Sequence, residues 1–455
     1  MEINAMLTLT TILNDARAAQ AVFAHYSQEQ LDACARAAGK ALYDNAQELA
    51  EDAVNETGMG NVADKTLKNQ SKSRNVWHYL KGKKSTGIIE RDETNSMITI
   101  AHPAGVVGAV TPTTSPSMTI MCNVMCALKG GNAIVIAPHP RAKKVSAKTV
   151  SIINAELDKL EAPKKLVQCI EQPSMQLTSE LMASVDVLVA TGGPAMVKSA
   201  YSSGKPSFGV GAGNVQTIFD VDVDYQVAAQ KVIAGRCFDN GIICSGDQSI
   251  IIPQTHYQQV IDAFTSQGAY YIEDQREADK LRDALFKDGY TNPDLIGQNV
   301  QVIAQHAGLD VPKAAKLIVV KSNGRDDDVL RSEKMCPVLS AFAYKDLHQA
   351  ISIAKTNLEV RGKGHTCVIH SNTLEHIEKI GAALPVSRIA INEAGSLSVG
   401  GTLQNGFVPT GTLGCGFWGN NSTSENLNYQ HMLNVQRIGF TMSDKSVPSD
   451  AEIWA

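Results

Sequence analysis

The segment Val187-Leu188-Val189-Ala190-Thr191-Gly192-Gly193-Pro194-Ala195-Met196 gives the clearest local indication of architecture. An apolar strand runs into two glycines and then into a helix that begins at a proline. The free N–H groups and dipole of such a helix start can hold the pyrophosphate of a dinucleotide. The alternative is a plain tight turn between strand and helix. Either interpretation predicts a strand–helix unit of an α/β protein.

Similar units occur on both sides of this segment. The first set of apolar strands is predicted at 106–110, 133–136, 166–170 and 185–190, with helices at 147–160 and 176–182. The second set is predicted at 250–252, 317–320, 338–344, 367–370 and 389–391. This alternation is typical of parallel strands joined by crossover helices. We therefore predict two open α/β domains.

The chain before the first set has a different pattern. Residues 1–82 are predicted to be helical, with Ala-rich amphipathic stretches such as 28–43. Two extended runs follow at 87–91 and 97–101, and the turn-rich segment 92–95 separates them. This arrangement predicts a β-hairpin.

Composition excludes several classes of protein. The chain has 455 residues, a hydrophobic fraction of 44% and a formal net charge of −5. Nucleic-acid and anionic-membrane partners are not expected, since both require clustered positive charge. No apolar run reaches the roughly 20 residues that span a bilayer, and the N-terminus has no secretory signal pattern.

The cysteines and histidines do not indicate a disulfide framework or a metal site. The nine cysteines are an odd number without a C-x-x-C pair, and the eleven histidines show no metal-ligand spacing. A reducing cytoplasm is therefore the expected location, and no metal is expected.

Cys244 is the candidate nucleophile. It lies in Phe238-Asp239-Asn240-Gly241-Ile242-Ile243-Cys244-Ser245-Gly246, between two glycines that allow a sharp backbone bend. A thiolate attacks carbonyl carbon when such a bend brings it to a cleft. The alternative is a buried thiol that only fills the core.

Other positions carry groups suited to the same chemistry. His365 is a candidate acid–base group, and Glu333 is a candidate ligand of ribose hydroxyls. The glycine-rich segment 209–214 allows close approach to a planar ring or a thioester, and it contains no carboxylate. The alternatives are a structural histidine and an exposed glutamate.

A second cofactor candidate is the strand end at 136–141. Arg141 or Lys143 could contact an adenosine ribose or its 2′-phosphate. The alternative is a solvated basic face.

Many short motifs occur together in this chain. They are Pro112-Thr113-Thr114, Ala137-Pro138-His139-Pro140-Arg141, Ala190-Thr191-Gly192-Gly193, 200–206, 209–214, 238–244, Gly364-His365-Thr366 and 412–416. In these motifs the chain resembles the CoA-acylating aldehyde dehydrogenases, most closely the CoA-dependent succinate semialdehyde dehydrogenases. It also resembles the aldehyde dehydrogenase half of the bifunctional aldehyde–alcohol dehydrogenases. The resemblance runs from about residue 10 to the Glu452-Ile453-Trp454 end.

The resemblance implies the aldehyde dehydrogenase fold, with two α/β domains and a small β oligomerisation element. Residues 1–84 and 104–239 would form the cofactor-binding domain, and 240–427 the catalytic domain. The hairpin at 85–103 and the tail at 428–455 would form the oligomerisation element, which leads us to expect a homodimer or homotetramer.

The resemblance also implies roles for individual residues. Cys244 would be the nucleophile, His365 would act near CoA or the thioester, and Ser115 would lie at the oxyanion position. Glu333 would bind the nicotinamide ribose. The further predicted cofactor-site residues are Pro112, Thr113, Ala137, His139, Pro140, Arg141, Thr191, Gly192, Gly193, Gly209 and Gly211.

One departure concerns the oxyanion site. Related enzymes usually have asparagine where this chain has Ser115, and that amide helps the nucleophile's own N–H group to hold the oxyanion. The serine side chain is shorter than that of asparagine, so its hydroxyl reaches less far. Loss of one oxyanion donor can lower the rate by about 10²–10³-fold. Ser115 would have to act through altered backbone or water, or the enzyme would be slower.

The implied reaction joins an aldehyde to CoA. The Cys244 thiolate adds to the aldehyde, a hydride passes to NAD or NADP, and CoA takes the acyl group. Hydrolytic relatives carry a glutamate in the segment that matches 209–214, where it activates water. Its absence here predicts slow hydrolysis and transfer to the better nucleophile, a thiol.

Several alternatives remain open from the sequence. The predicted substrate is succinate semialdehyde, with sulfoacetaldehyde or acetaldehyde as alternatives and Ser245 as a candidate donor to an anionic tail. A hydrolytic aldehyde dehydrogenase would use the same fold and nucleophile. A catalytically weak assembly subunit is the alternative from another class.

Overall fold

The computed structural model describes the backbone of residues 2–455 and the side chains of residues 9–455. The chain begins with four helices: α1 (Glu2–Phe23), α2 (Gln28–Asp44), α3 (Ala46–Thr57) and α4 (Val62–Leu80). Helix α2 begins at Ser27, which forms a capping box with Gln30. Helix α4 begins at Asn61, whose side chain accepts the N–H group of Asp64. The predicted helical N-terminal region is present.

A small antiparallel sheet follows the helices in the chain. Strands β1 (Gly87–Asp92) and β2 (Met97–Pro103) pair as the predicted hairpin. The late strand β17 (Leu433–Gly439) pairs with the other edge of β2. The hairpin and the C-terminal segment therefore form one three-stranded sheet, in the order β1-β2-β17.

The first α/β unit contains a five-stranded parallel sheet in the order β5-β4-β3-β6-β7. Its strands are β3 (Val106–Thr111), β4 (Ala133–Pro138), β5 (Val167–Cys169), β6 (Val187–Thr191) and β7 (Ser207–Val210). The connecting helices are α5 (Pro116–Lys129), α6 (Lys143–Asp158), α7 (Met175–Ser184) and α8 (Pro194–Tyr201). Strands β3 and β4 are buried throughout, because helices cover both faces of this sheet.

The second unit contains a seven-stranded sheet in the order β10-β13-β14-β9-β8-β15-β16. Its strands are β8 (Val215–Phe219), β9 (Asp247–Pro253), β10 (Ala269–Ile272), β13 (Leu317–Lys321), β14 (Val338–Tyr344), β15 (Gly364–His370) and β16 (Val386–Ile391). Its longer helices are α9 (Tyr225–Cys237), α10 (Tyr257–Thr265), α11 (Gln275–Leu285), α12 (Val300–Ala307), α13 (Leu347–Val360) and α14 (Leu374–Ala383).

Short elements complete the chain. They are β11 (Phe286–Lys287), β12 (Tyr290–Thr291), α15 (Gly395–Ser398) and α16 (Asp450–Ile453). Among residues 2–455, no helix combines the length and the apolar character needed to cross a bilayer.

The sequence prediction missed strands β7, β8, β10 and β17 and the two-residue strands β11 and β12. Strands β7, β8 and β10 have only four or five residues; β7 overlaps the start of the glycine-rich segment 209–214, and β8 begins directly after it. Strand β8 pairs with β9 and β15, so residues 215–219 belong to the seven-stranded sheet. The predicted domain boundary at 239/240 therefore conflicts with the sheet pairing, and we propose a boundary near 211–214 instead.

Candidate functional site

A cavity of about 570 Å³ lies where the two α/β units meet. It is lined by the loop after β3, the turn after β6, the segment before β8, helix α4 and the loop that carries Cys244. Clefts at domain junctions and at the ends of parallel strands are the usual places for ligands.

Eleven of the fifteen predicted site residues line this cavity. They are Cys244, Ser115, Pro112, Thr113, His139, Arg141, Thr191, Gly192, Gly193, Gly211 and Glu333. The structure thus brings together residues from five separate motifs of the sequence.

The four other predicted residues are absent from the cavity wall. Ala137 is buried inside β4, and Gly209 is buried in β7, where its N–H group donates to the Tyr201 hydroxyl. Pro140 is exposed at the start of a 3₁₀ turn. These positions shape the strand ends without facing the cavity.

His365 is the one predicted catalytic residue that does not line the cavity. It is fully buried in β15, and its Nδ1 lies 2.9 Å from the Thr366 hydroxyl. Burial, with a smaller effect of Arg388, lowers the pKa of His365 to about 3. Burial therefore keeps the imidazole neutral in this arrangement, and the acid–base role of His365 stays a prediction.

The loop that carries Cys244 has an unusual backbone. Asp239 and Asn240 both have a φ of 51°, in the left-handed region. Such backbone costs about 1–3 kcal/mol per residue unless its surroundings hold it. The Asp239 N–H group donates to Asp64 at 2.8 Å, and the Asn240 side chain donates to the Gly297 carbonyl at 2.9 Å. These bonds fix the entry to the nucleophile loop.

Gly213 lies directly against the nucleophile loop. A Cβ atom at this position would lie 1.7 Å from the Cys244 carbonyl oxygen, so only glycine fits. The neighbouring Asn214 is buried, and its amide donates to the carbonyls of Arg331 and Asn357 at 2.8 and 2.9 Å. The segment predicted to allow close approach therefore approaches the backbone of Cys244 itself.

The resting Cys244 thiol is protonated. Burial raises the pKa of Cys244 to about 12, and the negative charge of Glu333 acts in the same direction. Arg388 opposes this shift. The thiol must therefore lose its proton before it can attack as a thiolate.

Glu333 is the one carboxylate among the described residues that line the cavity. It is 3% exposed, and it accepts the N–H group of Gly213. Burial raises the pKa of Glu333 to about 7, while Arg361 and Arg236 act in the opposite direction. Segment 209–214 contains no carboxylate. The titratable carboxyl of Glu333, which comes from another loop, nevertheless lines the same cavity.

The turn after β6 has the form expected for a dinucleotide. The Thr191 hydroxyl lies 3.0 Å from that of Thr412 and is held at the strand end. Gly193 is exposed and has open space where a Cβ would be, so the start of helix α8 is accessible. Arg141 donates to the Thr57 carbonyl at 3.1 Å, which positions its side chain at the same end of the cavity. These features fit a nicotinamide dinucleotide.

Helix α4 forms a wall of the cavity that the sequence interpretation missed. Lys68, Ser71, Lys72 and Asn75 line the cavity from this helix. Their spacing of three and four residues places them on one helical face, and this spacing was the signal available in the sequence. Charged residues in a predicted amphipathic helix normally indicate a solvated face, so only the packing reveals their position.

Ser115 is coupled to this wall. Its hydroxyl accepts a hydrogen bond of 2.7 Å from the Lys68 ammonium. Lys68 also contacts Asp239 at 2.5 Å. The residue at the predicted oxyanion position is therefore a hydroxyl polarised by a buried cation, and its own proton can be donated.

A partly buried thiol, a strand–glycine–helix turn and an adjoining carboxyl in one cavity are the groups expected of an α/β enzyme that uses a thiol and a redox cofactor. A model of the aldehyde dehydrogenase family matches residues 7–280. The chain belongs to the aldehyde dehydrogenase family.

Several characterised proteins are similar over nearly the whole chain. Succinate-semialdehyde dehydrogenase (acetylating) of Clostridium kluyveri is 49% identical, with 98% of this chain and 99% of that protein covered. Sulfoacetaldehyde dehydrogenase of an Acholeplasma species is 39% identical, with 97% and 92% covered. The bifunctional aldehyde-alcohol dehydrogenase of Escherichia coli is 36% identical, and the match covers 96% of this chain but 50% of that protein.

A solved structure supports the same relationship. An acetylating aldehyde dehydrogenase from Geobacillus thermoglucosidasius has a TM-score of 0.94 and is 36% identical, with 98% of this chain and 99% of that chain covered. The predicted family resemblance and the predicted fold class are confirmed.

Proposed function

We propose that this protein is a CoA-acylating aldehyde dehydrogenase that interconverts succinate semialdehyde, CoA and NAD(P)⁺ with succinyl-CoA and NAD(P)H. The observation that carries the proposal is Cys244 in a cavity whose adjoining segment, 209–214, supplies no carboxylate to activate water. The similarity to the Clostridium kluyveri enzyme supports the choice of substrate.

The covalent steps centre on Cys244. The thiol gives its proton to water, the thiolate sulfur bonds to the aldehyde carbon, and the carbonyl oxygen becomes an oxyanion held by the Ser115 hydroxyl and the N–H group of Cys244. A nicotinamide held by the Thr191–Gly193 turn and Glu333 would supply the acceptor for the hydride that leaves this carbon. The product on Cys244 is a thioester.

Release of the acyl group exchanges one sulfur for another. The CoA thiol loses its proton and bonds to the acyl carbon, the bond to Cys244 breaks, and Cys244 leaves as a thiolate. Oxidation in this direction releases one proton overall. The reverse sequence reduces an acyl-CoA to the aldehyde.

Other residues that line the cavity would hold the dinucleotide. The pyrophosphate would lie at the Thr191–Gly193 turn, and Glu333 would accept from ribose hydroxyls. Arg141 lines the cavity and would be the contact to a 2′-phosphate, whereas Lys143 donates to the Gln172 side chain and does not line the cavity; the proposal covers both NAD and NADP.

The presence of Glu333 favours one rival function, hydrolysis to the free acid. A buried carboxyl with a pKa near 7 can act as a general base for water. An assembly subunit without activity is disfavoured, since the nucleophile, the turn and the cavity are all present.

The deciding experiment compares turnover with and without CoA. Purified protein is given succinate semialdehyde with NAD or NADP, and the products are identified by mass spectrometry. We expect reduced cofactor and succinyl-CoA in equal amounts, and little turnover without CoA. Rapid formation of succinate without CoA would identify the hydrolytic enzyme instead, and no turnover with any aldehyde would support the assembly subunit.

We further propose a homodimer or homotetramer formed through the three-stranded sheet, located in the cytoplasm. Exposed apolar side chains on and after β17 support this assembly: Val435, Ile438, Phe440, Val447 and Trp454. The nine cysteines are free thiols, which supports a reducing compartment. Light scattering of the purified protein tests the assembly.

A further inference from the structure

Helix α4 brings three lysines to the junction of the two α/β units. Lys65 and Lys68 are 3% and 5% exposed at the side chain, and Lys72 follows one turn later on the same face. Asp239 is their carboxylate partner, at 3.0 Å from Lys65 and 2.5 Å from Lys68. The buried Asp239 carboxylate therefore forms ion pairs with Lys65 and Lys68 but not with Lys72.

The partners of Lys72 are neutral. Its ammonium donates to the carbonyl of Gly400 and, at 3.4 Å, to the carbonyl of Gly401. Among residues 9–455, no carboxylate lies within ion-pair distance of Lys72. A cation surrounded by protein and without a countercharge is costly, and bound anions are stabilised at such a place.

The ammonium lies in the same cavity as the nucleophile. Lys72 and Cys244 both line it and interact electrostatically with each other. Ser71, Asn75 and Ser245 add polar groups to the wall. Apolar side chains also line it, among them Leu67, Met118, Ile243 and Leu397. A cavity with an apolar wall and a cation suits a short carbon chain that ends in an anion.

We propose that Lys72 is a specificity-determining residue that binds the anionic end of the aldehyde or acyl substrate while the carbonyl end reaches Cys244. This inference rests on the proposed function, since it assigns a subsite of the same cavity. Lys68 has a different task, because its bonds to Ser115 and Asp239 hold the oxyanion side of the site.

The test compares an anionic and a neutral aldehyde of equal length. Succinate semialdehyde and butanal are assayed with CoA and cofactor, using the wild type, Lys72→Met and Lys72→Arg. For Lys72→Met we expect the ratio of kcat/KM for the anionic aldehyde to kcat/KM for the neutral one to fall about 10²-fold, the typical effect of losing a charge-assisted hydrogen bond. Lys72→Arg keeps the charge, so its ratio should stay within about tenfold of the wild type.

Each outcome has a separate meaning. Equal losses for both aldehydes in Lys72→Met would leave the ratio unchanged, assign Lys72 to the chemical step and overturn the subsite, and no loss for either aldehyde would overturn it as well. Failure of the wild type to form acyl-CoA from either aldehyde would instead refute the proposed function. Equal melting temperatures for the three proteins confirm that each is folded.

A pH profile gives an independent readout. Burial lowers the pKa of Lys72 to about 8, and the groups that face it are the thiols of Cys122 and Cys244 and the ammonium of Lys68. The lysine is charged below that pH, so KM for succinate semialdehyde should rise as pH increases from 7 to 9. KM for butanal should not follow it. Parallel rises for both aldehydes would contradict the subsite.

Discussion

The two ends of the cavity are built in opposite ways. At the cofactor end, the Thr191–Gly193 turn presents main-chain groups and an open glycine from one continuous segment. At the substrate end, helix α4 presents lysine side chains that meet Asp239 and Ser115 from distant parts of the chain. The first end is a local backbone motif, and the second depends on tertiary packing.

This difference indicates where specificity is encoded. A backbone turn recognises the pyrophosphate that all dinucleotides share, so it can be common to many enzymes. Side chains that converge through packing can differ while the fold stays the same. We therefore expect changes at the α4 wall to alter the choice of aldehyde and changes at the turn to affect only the cofactor.

The largest effect on activity is expected from substitution of Cys244. Cys244→Ser should lower acyl-CoA formation by at least about 10⁴-fold, because a hydroxyl at neutral pH is a far weaker nucleophile than a thiolate. Initial rates of NAD(P)H formation with CoA measure it. Cys415→Ser is the matched control, since Cys415 is buried beside Cys244 and lies outside the cavity wall, and it should keep most activity. Substantial turnover by Cys244→Ser would remove this residue from the mechanism.

The second effect concerns the stability of the α4 wall. Burial opposes the charge of Asp239, but Lys68 and Lys65 outweigh burial and lower its pKa. Asp239→Asn leaves two buried ammonium groups without a countercharge, so the free energy of unfolding should fall by about 3–5 kcal/mol.

Urea unfolding of Asp239→Asn and the wild type provides the measurement. The control is Asp44→Asn, which breaks the exposed Lys40–Asp44 pair and should cost less than about 0.5 kcal/mol. Similar losses in the two variants would mean that the buried lysines have other sources of stabilisation.

A smaller effect is expected at Glu333, and it distinguishes binding of the cofactor ribose from activation of water. With a pKa near 7, the carboxyl gains negative charge as pH rises from 6 to 8 and then accepts better from ribose hydroxyls. We expect kcat/KM for the cofactor to rise over that range. Glu333→Gln cannot ionise, so it should lack this rise and be about tenfold weaker at pH 8.

The products formed by Glu333→Gln complete this test. If Glu333 binds ribose, the ratio of acyl-CoA to free acid should equal that of the wild type. A residual hydrolysis that disappears in the variant would show that Glu333 activates water, and the cofactor end would then also control deacylation.

Much of the fold was predictable because its signals are local. Apolar runs, helix caps and the turn-rich segment 92–95 correctly predicted most strands and the hairpin. The strands at 207–210 and 215–219 were missed because they are short and flank glycines. Their pairing partners lie far away in sequence, so no local pattern could assign them to different sheets.

The residues of the candidate site also fall into two groups, those predictable from the sequence and those whose position only the packing reveals. The positions of Cys244, Thr191 and Glu333 at the cavity follow from motifs and from family resemblance. The burial of His365 and the inward face of α4 do not, because an isolated histidine or an i, i+4 lysine pair carries no information about what packs against it.

The sequence by itself determined the alternation of strands and helices and the absence of a carboxylate from 209–214, and it predicted Cys244 as nucleophile and Thr191–Gly193 as the dinucleotide turn. Only the tertiary structure decided that β8 joins the second sheet, that the charge of Glu333 acts on Cys244, and that Lys72 lines the same cavity as Cys244 with no carboxylate of residues 9–455 within ion-pair distance. The physical reason is that hydrogen-bonding and apolar patterns act between near neighbours. Burial, and the charge balance that burial makes important, depend on segments that meet only when the chain is folded.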